Sequence, residues 1–375
     1  MNISVSEELK KTNANIKVIG VGGAGGNAVN RMAIAGLRGV QLIAANSDAQ
    51  ALSGCQAEIC LQLGETLTKG LGVGGDPARG RAAAQESEAS LKEALAGADM
   101  VFVTAGMGGG TGTGGAPVVA RLAKEAGALT IGVVTRPFDH EGMLKASLAD
   151  AGVQELRQHV DTLLVIPNNR ILENVEDDTT AIDALDLAND VLRKAVQSIS
   201  DVIAVPGKIN VDLADLRSIM KNAGVALIGM AEAKGPGRAL LAAKAAVSSP
   251  FLENVNIMGA KGILVNVTGS NAITMREINE ANEFVKGQAS PDAKIKNGHA
   301  YDDTLGDTIR ITVIATGLTP QCGNRRLLQH RPGHLAARYQ SQAPGAVPDS
   351  RLAVKPRQED WNIPAYLRLK VRKLK

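Results

Sequence analysis

Seven consecutive residues, Gly108 to Gly114, combine five glycines with two threonines and follow the apolar stretch Met100 to Val103. Glycines carry no side chain, so their backbone N–H groups can converge on an anion, and the threonine hydroxyls add further donors. A helix is expected from Val118 to Lys124, which would place this loop at a positively polarised helix N-terminus. A plain glycine-rich turn is the alternative, but a strand before the run and a helix after it favour phosphate binding. The predicted contacts are Gly108, Gly109, Gly110, Thr111, Gly112, Thr113 and Gly114.

A second glycine cluster follows a short apolar strand predicted at Ile16 to Ile19 and precedes a helical pattern that starts at Ala28. This order is typical of dinucleotide-binding folds, and Asp48 stands where their acidic residue is expected. A nicotinamide-dependent oxidoreductase is therefore one interpretation of this turn alone. Two phosphate loops favour a nucleotide with a triphosphate tail instead, and neither loop has the Walker pattern of P-loop NTPases. The predicted contacts here are Gly23, Ala24, Gly25, Gly26 and Asn27.

The elements that must position these loops alternate between strand and helix along the first half of the chain. Five β-rich runs predict strands at 16–19, 40–44, 100–104, 129–134 and 162–166. Helical patterns separate these runs, notably at 77–95 and 144–159. The alternation predicts an α/β protein with a Rossmann-like, doubly wound parallel sheet and with loops at the carboxyl ends of its strands.

A long central helix is predicted at 181–205, because apolar residues recur near helical spacing from Ile182 to Ile199. A second, smaller α/β unit follows it, with helices at 239–247 and 273–284 and strands at 260–268 and 308–316. The expected domains are a flexible N-terminus at 1–14, a nucleotide-binding domain at 15–180, the central helix at 181–205, the second α/β domain at 206–317, a linker at 318–358 and a terminal peptide at 359–375.

The chain changes character after Gly317. Residues 318–375 hold twelve Lys or Arg and three Asp or Glu, a net charge of +9, whereas the whole chain carries +3. The first forty residues of this tail are rich in Pro, Gln, Gly and Arg, which predicts a disordered basic linker. An apolar cluster near the end of the tail predicts a docking motif that orders on binding. Its residues are Trp361, Ile363, Pro364, Tyr366 and Leu367.

Composition limits the classes of function. No stretch of roughly 18 uninterrupted apolar residues occurs, so no membrane span is expected, and the polar segment Met1 to Asn15 does not have the apolar region of a signal peptide. Cys55, Cys60 and Cys322 have no metal-ligand spacing with the five histidines, so free thiols in a reducing compartment are expected. Aromatic residues make up 2% of the chain, and base-stacking surfaces for nucleic acid are not expected.

The two glycine loops together resemble the tubulin/FtsZ family of GTPases, whose signature loop has the form Gly-Gly-Gly-Thr-Gly-Thr-Gly. Further segments resemble the family in the same order along roughly residues 15–318, and the terminal peptide 360–368 is again similar. These segments are Asn46–Leu52, Lys69–Gly72, Val134–Phe138, Ile166–Asn168, Asn210–Asp215 and Gly262–Asn266. Several independent motifs in one order make the resemblance specific.

The resemblance implies that GTP or GDP is the ligand and that Mg²⁺ binds with the nucleotide. Glu141 would hydrogen-bond the ribose, and it would also be favoured at a helix N-terminus. Lys145 stands where the family usually has Arg, so it keeps the charge but has no planar guanidinium. Asn168 and Asn189 would face the guanine edge, since an amide both donates and accepts. Leu185 replaces an aromatic residue that many relatives stack on the base, and it would cover the ring by apolar contact.

No histidine, cysteine or carboxylate near the phosphate loops is expected to activate water. The resemblance implies that Asn210, Asp212 and Asp215 act instead from a neighbouring subunit of a filament. The two aspartates are three residues apart and would project from nearly the same face of a helix. The alternative is that Asp212 only caps the helix expected at 213–220. Two carboxylates and Mg²⁺ would be sufficient to position and polarise the attacking water.

The sequence thus predicts a polymerising GTPase of a bacterial division ring, located in the cytoplasm at midcell beneath the inner membrane. The expected partners are further copies of the chain, arranged head to tail, and membrane-tethering division proteins such as FtsA, bound through Trp361 to Leu367. Contact with the membrane would be indirect, through these adaptors, and no nucleic acid partner is expected. The alternatives are the nicotinamide-dependent oxidoreductase and a filament protein that binds GTP without hydrolysing it.

Overall fold

The computed structural model describes residues 14–37, 39–172, 180–204, 212–249 and 259–318. These residues form ten strands, most of which are rich in Val, Ile, Leu and Ala. The strands are β1 (Ile16–Val21), β2 (Val40–Asn46), β3 (Ile59–Gln62), β4 (Met100–Gly106), β5 (Leu129–Arg136), β6 (Thr162–Pro167), β7 (Gly224–Lys234), β8 (Gly262–Gly269), β9 (Lys294–Tyr301) and β10 (Thr308–Thr316).

The same described residues form twelve α-helices. They are α1 (Gly22–Ile34), α2 (Ala49–Ser53), α3 (Glu65–Thr68), α4 (Pro77–Glu86), α5 (Glu88–Leu95), α6 (Thr111–Glu125), α7 (Met143–His159), α8 (Asn168–Leu172), α9 (Ala181–Ala204), α10 (Leu213–Met220), α11 (Arg238–Val247) and α12 (Met275–Gly287). Of these described helices, none combines the length and the apolar character that crossing a bilayer requires.

The ten strands form one sheet in the order β3-β2-β1-β4-β5-β6-β7-β10-β8-β9. Strands β1 to β7 are all parallel, and in the centre Val18 lies opposite both Leu42 on β2 and Phe102 on β4. β10 runs antiparallel to its neighbours β7 and β8, while β9 is parallel to β8. The parallel half with its intervening helices confirms the predicted α/β class, and the antiparallel β10 makes the second half a mixed sheet.

Helices cover both faces of the parallel half, and each face has its own apolar cluster. On one face α1 and α9 pack against the strands through Met32, Leu192 and Ile199, which are completely buried. On the other face α4 to α7 pack with many alanines, such as Ala84 and Ala120. A third cluster lies between α11, α12 and the strands β8 and β10. These cores fix the carboxyl ends of the parallel strands beside one another at one edge of the sheet.

The predicted strands of the first half are confirmed, but two helices begin earlier than predicted. α6 begins at Thr111 rather than Val118, and α1 begins at Gly22 rather than Ala28. Glycine disfavours helix in isolation, but tertiary packing outweighs that preference here. α4 and α6 approach so closely that a Cβ on Gly114 would collide with the carbonyl oxygen of Pro77. The prediction of one open loop over 108–114 is therefore wrong for its second half.

Two further differences concern a helix that is divided in two and strands that were not predicted. The helix predicted over 77–95 is two helices, because Ser87 leaves the helical conformation and its hydroxyl accepts a hydrogen bond from the Gly64 N–H at 3.0 Å. Strands β3, β7 and β9 were not predicted. In β9, Lys294, Lys296 and Asn297 hide the pattern, because such residues are uncommon in strands. Pairing with neighbouring strands therefore decides the conformation of these segments.

Candidate nucleotide site

The carboxyl edge of the parallel half contains a cavity of about 470 Å³, a volume within the range of small-ligand sites. We call it the carboxyl-edge cavity, because residues at the ends of β1, β2, β4, β5 and β6 line it. Eleven residues predicted from the sequence line it together, although they come from five separate segments of the chain. They are Gly23, Ala24, Gly108, Gly109, Gly110, Thr111, Gly112, Glu141, Lys145, Asn168 and Leu185.

Six other residues predicted to contact the nucleotide lie outside the carboxyl-edge cavity. Gly26 and Asn27 line a neighbouring cavity of about 240 Å³ that shares Gly23 with it. Asn27 also lines a third cavity, of about 700 Å³, together with Asn189 on α9. Of these six predicted contacts, Gly25, Thr113 and Gly114 line none of the three cavities.

Two helices begin at the carboxyl-edge cavity, and the glycine segments form their first turns. The first N–H groups of a helix have no partner within it, so α1 at Gly22 and α6 at Thr111 bring free donors and the positive ends of two helix dipoles to the cavity. A Cβ at Gly23 or Gly109 would meet no atom within 4 Å. An anion can therefore approach the backbone beside these glycines, as phosphates do at other helix N-termini.

The remaining glycines of the two segments serve close packing. A Cβ on Gly25 would lie 2.5 Å from the carbonyl oxygen of Thr104 on β4, which would force the helix away from the sheet. The N–H of Gly108 donates to Thr113 Oγ1 at 2.9 Å, and this bond holds the turn that precedes α6. The same run of glycines thus combines residues that leave room for a ligand with residues that let helices and strands approach.

Three consecutive polar residues also line the carboxyl-edge cavity, namely Asn46, which is the buried last residue of β2, and Ser47 and Asp48, which follow it. Ser47 Oγ lies 2.6 Å from Thr111 Oγ1, in a buried hydrogen bond that joins this segment to the first turn of α6. Asp48 caps α2, since its Oδ1 accepts from two backbone N–H groups at 2.9 and 3.3 Å. The carboxylate of Asp48 thus lies beside the glycine segments, where it acts as a helix cap. The signal for these contacts was a polar triplet at the end of a buried strand, at the sheet edge where ligands bind.

The opposite side of the carboxyl-edge cavity contains the residues expected to bind the ribose and the base. Glu141 Oε1 accepts from the Phe138 N–H at 2.9 Å, and its Oε2 accepts from Lys145 Nζ at 3.1 Å. Asn168 is only 7% exposed, and its Oδ1 has no hydrogen-bond partner among the described residues. Buried polar atoms without a partner are rare, and this one fits a ligand that donates to it. Leu185 on α9 is 53% exposed at the cavity and offers an apolar surface.

These side chains and helix ends fit a purine nucleotide. The helix N-termini suit the phosphates, Glu141 suits the ribose, and Asn168 and Leu185 suit the base. Mg²⁺ is commonly held by one or two carboxylates together with substrate phosphates, and Asp48 is a carboxylate in the same cavity. In the described part of the chain no three His, Cys, Asp or Glu side chains form a metal site. A magnesium ion here would therefore be held mainly by the nucleotide.

The aspartates predicted to activate water lie at the N-terminus of α10, away from the carboxyl-edge cavity. Asp212 caps α10, since its Oδ1 accepts from the Asp215 N–H at 2.6 Å, and this cap occupies only one of its two carboxylate oxygens. Asp215 pairs with Lys296 on β9, with 2.5 Å between Oδ1 and Nζ. Neither carboxylate lines the carboxyl-edge cavity, and Asn210 lies outside the described residues.

Two hydrogen bonds fix α10 at the amino edge of the sheet. The carbonyl oxygen of Met220 accepts from Thr162 Oγ1 at 2.5 Å, and Thr162 is the first residue of β6. Arg217 Nη2 donates to the carbonyl oxygen of Asp99 at 3.2 Å, and Asp99 directly precedes β4. The seven residues of β4 span about 20 Å between this contact and the glycine run. Within one chain, α10 and the carboxyl-edge cavity therefore lie at opposite ends of the same strands.

An open parallel sheet with two glycine-built helix N-termini at its carboxyl edge defines a nucleotide-binding α/β protein. The model of the tubulin/FtsZ family GTPase domain matches residues 15–176, and the model of the FtsZ family C-terminal domain matches residues 224–319. The chain therefore belongs to the tubulin/FtsZ family, which confirms the resemblance found in the sequence. Membership of this family of GTPases implies that the chain binds guanine nucleotides and hydrolyses GTP.

Solved structures agree with this assignment. An empty FtsZ dimer from M. jannaschii is 42% identical, with a TM-score of 0.80 over 83% of this chain and 90% of that chain. Two proteins from Haloferax volcanii, each 23% identical, share the fold. CetZ2 as a GTPγS-bound protofilament has a TM-score of 0.67 over 82% of this chain and 94% of that chain. CetZ1 as a GDP-bound monomer has a TM-score of 0.68 over 82% and 95%.

Proposed function

We propose that this chain is a polymerising GTPase whose active site is completed by the next copy of the chain in a head-to-tail filament. The observation that carries the proposal is the separation of two groups within one chain. The carboxyl-edge cavity lies at one end of the strands, and Asp212 and Asp215 lie on α10 at the other. Stacking copies head to tail would bring the α10 of one onto the cavity of another. A heterologous contact of this kind repeats without closing and generates filaments.

The chemistry follows from what each part can supply. Phosphoryl transfer needs an attacking water in position and compensation for the charge on the γ-phosphate. The N-termini of α1 and α6 provide fixed N–H donors for that charge, and Mg²⁺ would add to their effect. Asp212 and Asp215 each use Oδ1 for the contacts described above, so the second oxygen of each can accept from a water. Their role would be to hold and polarise that water against the neighbour's nucleotide.

The rim of the carboxyl-edge cavity supports contact with another protein surface. Leu71, Met143 and Leu144 are between 75 and 87% exposed, although they are large and apolar. Leu71 lines the cavity, and the other two stand between Glu141 and Lys145, which also line it. Exposed apolar groups that cluster in this way are typical of interaction sites. The dimer and the protofilament formed by the similar FtsZ and CetZ2 proteins support the same interpretation.

A filament protein that binds GTP without hydrolysing it is the second candidate. It is favoured by the structural work that both aspartates already do, since Asp212 caps α10 and Asp215 pairs with Lys296. The nicotinamide-dependent oxidoreductase receives no such support, because the family model that covers both glycine segments is that of a GTPase domain. The family match is to a GTPase domain, which favours hydrolysis over structural binding.

The proposal is tested by following light scattering and phosphate release together after addition of GTP and Mg²⁺, across a range of protein concentrations. Activity per molecule should rise with concentration and should follow assembly, because a single chain holds half of the site. Activity per molecule that stays constant far below the assembly threshold would contradict the shared site. In a thermal-shift panel GDP should stabilise the protein more than ATP or NAD, and stabilisation by NAD alone would overturn the choice of nucleotide.

The same proposal places the filaments in the cytoplasm, at the midcell division ring beneath the inner membrane. Residues 359–375 would dock on membrane-tethering division proteins such as FtsA. This peptide and, apart from Leu318, the linker at 318–358 lie outside the described residues. The apolar cluster from Trp361 to Leu367, within a basic tail, supports a docking role. Truncation after Arg357 should preserve GTPase activity and filament formation while abolishing recruitment to membranes. Failure of the truncated chain to polymerise would place the tail within the assembly core.

A further inference from the structure

A fourth cavity, of about 480 Å³, lies at the amino edge of the sheet, beside the C-terminal end of α10. We call it the amino-edge cavity. Four cationic side chains line it, namely Arg157, Lys221, Lys261 and Lys294. Its lining contains no carboxylate, and none of the four cations forms an ion pair or hydrogen bond through its side chain with any other described residue. The cavity therefore concentrates positive charge that the described part of the chain does not compensate.

Two of these cations are brought together by the sheet itself. Lys261 immediately precedes β8, and Lys294 is the first residue of the parallel neighbour β9. Lys294 is in register with Gly262, and its N–H donates to the carbonyl oxygen of Lys261 at 2.9 Å, so the two lysines lie on adjacent strands one position out of register. Both lysines line the amino-edge cavity, and like charges around one cavity repel one another. The repulsion would be relieved by an anion between the two ammonium groups.

The other two cations lie at helix ends. Arg157 lies in the last turn of α7, and Lys221 directly follows α10. The negative end of a helix dipole favours cations at such positions, which accounts for these two residues without a ligand. No helix end accounts for Lys261 and Lys294, because both lie at the starts of strands. These two lysines therefore carry the inference.

The nearby carbonyl oxygens of α10 would repel an anion if they were free, but hydrogen-bond donors occupy them. The carbonyl oxygen of Ile219 accepts from Thr316 Oγ1 at 3.2 Å, and that of Met220 accepts from Thr162 Oγ1 at 2.5 Å. The carbonyl oxygen of Arg217 accepts from the Lys221 N–H at 2.9 Å. The helix end thus presents little uncompensated negative charge to the cavity.

The backbone also places the stem of Lys261. Gly317 has φ +67°, and a Cβ there would lie 2.8 Å from Lys261 Cβ and 3.2 Å from its Cγ. Position 317 therefore favours glycine for two reasons: its backbone is left-handed, and the stem of Lys261 approaches it closely. The stem of Lys261 therefore packs closely on Gly317, which also lines the cavity.

We propose that the amino-edge cavity binds a small soluble polyphosphate anion, an oligophosphate or a molecule that carries one. Several ammonium groups and a guanidinium around one concave space match the several charged oxygens of such a ligand. The cavity volume of about 480 Å³ lies within the range of small-ligand sites. The cavity is concave, and a concave site suits a soluble anion better than a flat membrane surface. This site is separate from the carboxyl-edge cavity, and it does not depend on the proposed sharing of the active site.

The test measures binding of inorganic tripolyphosphate to the full chain by isothermal titration calorimetry at low ionic strength. All proteins in this test carry Gly109→Val, so that the carboxyl-edge cavity does not contribute. Lys261→Gln combined with Lys294→Gln should weaken binding by about tenfold or more. The matched control is Lys244→Gln combined with Lys286→Gln, since both of these lysines are exposed on helices and line none of the cavities described above. The control removes the same charge and should change the affinity less than twofold.

Equal weakening in the two double variants would overturn the proposal, because it would reduce the effect to net charge. Absence of tripolyphosphate binding would overturn it as well. A third measurement uses vesicles that contain phosphatidylglycerol. Sedimentation with these vesicles that requires Lys261 and Lys294 and is unaffected by tripolyphosphate would assign the cavity to a lipid headgroup and contradict a soluble ligand. Circular dichroism of each variant shows that the fold is retained.

Discussion

The two edges of the parallel sheet use different chemistry. At the carboxyl edge, the glycines of α1 and α6 bring backbone N–H groups to a cavity, and few charged side chains are present. At the amino edge, α10 carries Asp212 and Asp215, and no backbone cradle lies beside them in the described residues. In the proposed shared site, nucleotide binding and the catalytic carboxylates would thus be divided between the ends of strands about 20 Å long. On this proposal, one copy of the chain supplies the nucleotide cavity and the next copy supplies Asp212 and Asp215.

The comparison also shows how differently the two edges tolerate change. The carboxyl edge depends on the absence of side chains, so adding atoms there should block the ligand. The amino edge depends on carboxylates that also have structural contacts, with a helix N-cap for Asp212 and an ion pair for Asp215. Its test must therefore separate charge from structure.

The largest effect is expected for Gly109→Val. The space beside Gly109 is open, so the protein should fold normally, but the new side chain would occupy the place of the phosphates. Binding of a fluorescent GDP analogue should weaken by about 100-fold or more, since the loss of several charge-assisted hydrogen bonds is involved. Gly287→Val at the end of α12 is the control, because that glycine also has open space and lies far from the cavity in sequence. Affinity within a few-fold of the wild type in Gly109→Val would place the phosphates elsewhere.

The next effect concerns hydrolysis rather than binding. Asp212→Asn keeps a side chain that caps helices well, and it removes the charge. Phosphate release should fall by about 100-fold, while the affinity for GTP should stay within about twofold, because the neighbour's cavity is unchanged. Asp215→Ala should behave in the same way. Lys296→Ala breaks the same ion pair but leaves the carboxylate, and it should keep most of the activity. Equal losses in Asp215→Ala and Lys296→Ala would show that the pair is only structural.

A smaller effect on binding, and a larger one on stability, is expected for Gly114→Ala. This glycine lies in the same run as Gly109 but packs α6 against Pro77 of α4, with no room for a methyl group. The free energy of unfolding should fall by about 3 kcal/mol, as is common for overpacked contacts, and this can be measured by urea denaturation. Nucleotide affinity per folded molecule should change little. A stable Gly114→Ala variant that no longer binds GDP would mean that the two parts of the run are not distinct.

The smallest effect is expected away from both edges. Burial raises the pKa of Asp201 on α9 to about 6, and the negative charge of Asp302 adds to this shift. A hydrogen bond from Gln197 and the positive charges of Arg310 and Arg193 oppose it. The unfolded state releases this proton near its ordinary pKa of 3.8, so the wild type should lose stability as the pH rises from about 4 to about 6. Asp201→Asn should remove that loss and gain about 1 to 2 kcal/mol at pH 7.5. If the free energy of unfolding changed with pH in the same way in both proteins, the raised pKa of Asp201 would be contradicted.

Much of the carboxyl edge could be predicted from the sequence. A glycine run between an apolar strand and a helix is typical of phosphate-binding sites, and this pattern correctly placed Gly23 and Gly109 beside one cavity. Glu141, Asn168 and Leu185 were predicted only through the family resemblance, because nothing in their local sequence marks a ligand. Asn189 was expected with them, but it lies one turn beyond Leu185 on α9 and lines another cavity.

The parts that could not be predicted depend on contacts between distant segments. The early start of α6 depends on α4, because glycines permit the helices to approach and the packing then favours helix where propensity does not. The pairing of Asp215 with Lys296 joins residues 81 positions apart and depends on β9, a strand without a clear pattern. The amino-edge cavity likewise exists only because the sheet places Lys261 beside Lys294. Periodicity and spacing do not contain this information.

The central claim is that one hydrolytic site is made by two copies, and mixing two inactive variants tests it most directly. Gly109→Val should retain an intact α10 without binding nucleotide, and the double variant Asp212→Asn with Asp215→Ala should bind nucleotide without the carboxylates. Each alone should release little phosphate from GTP. An equimolar mixture should recover a substantial part of the wild-type activity, because the α10 of the first variant can act on the nucleotide held by the second. A mixture that co-assembles but stays as inactive as its components would contradict the shared site.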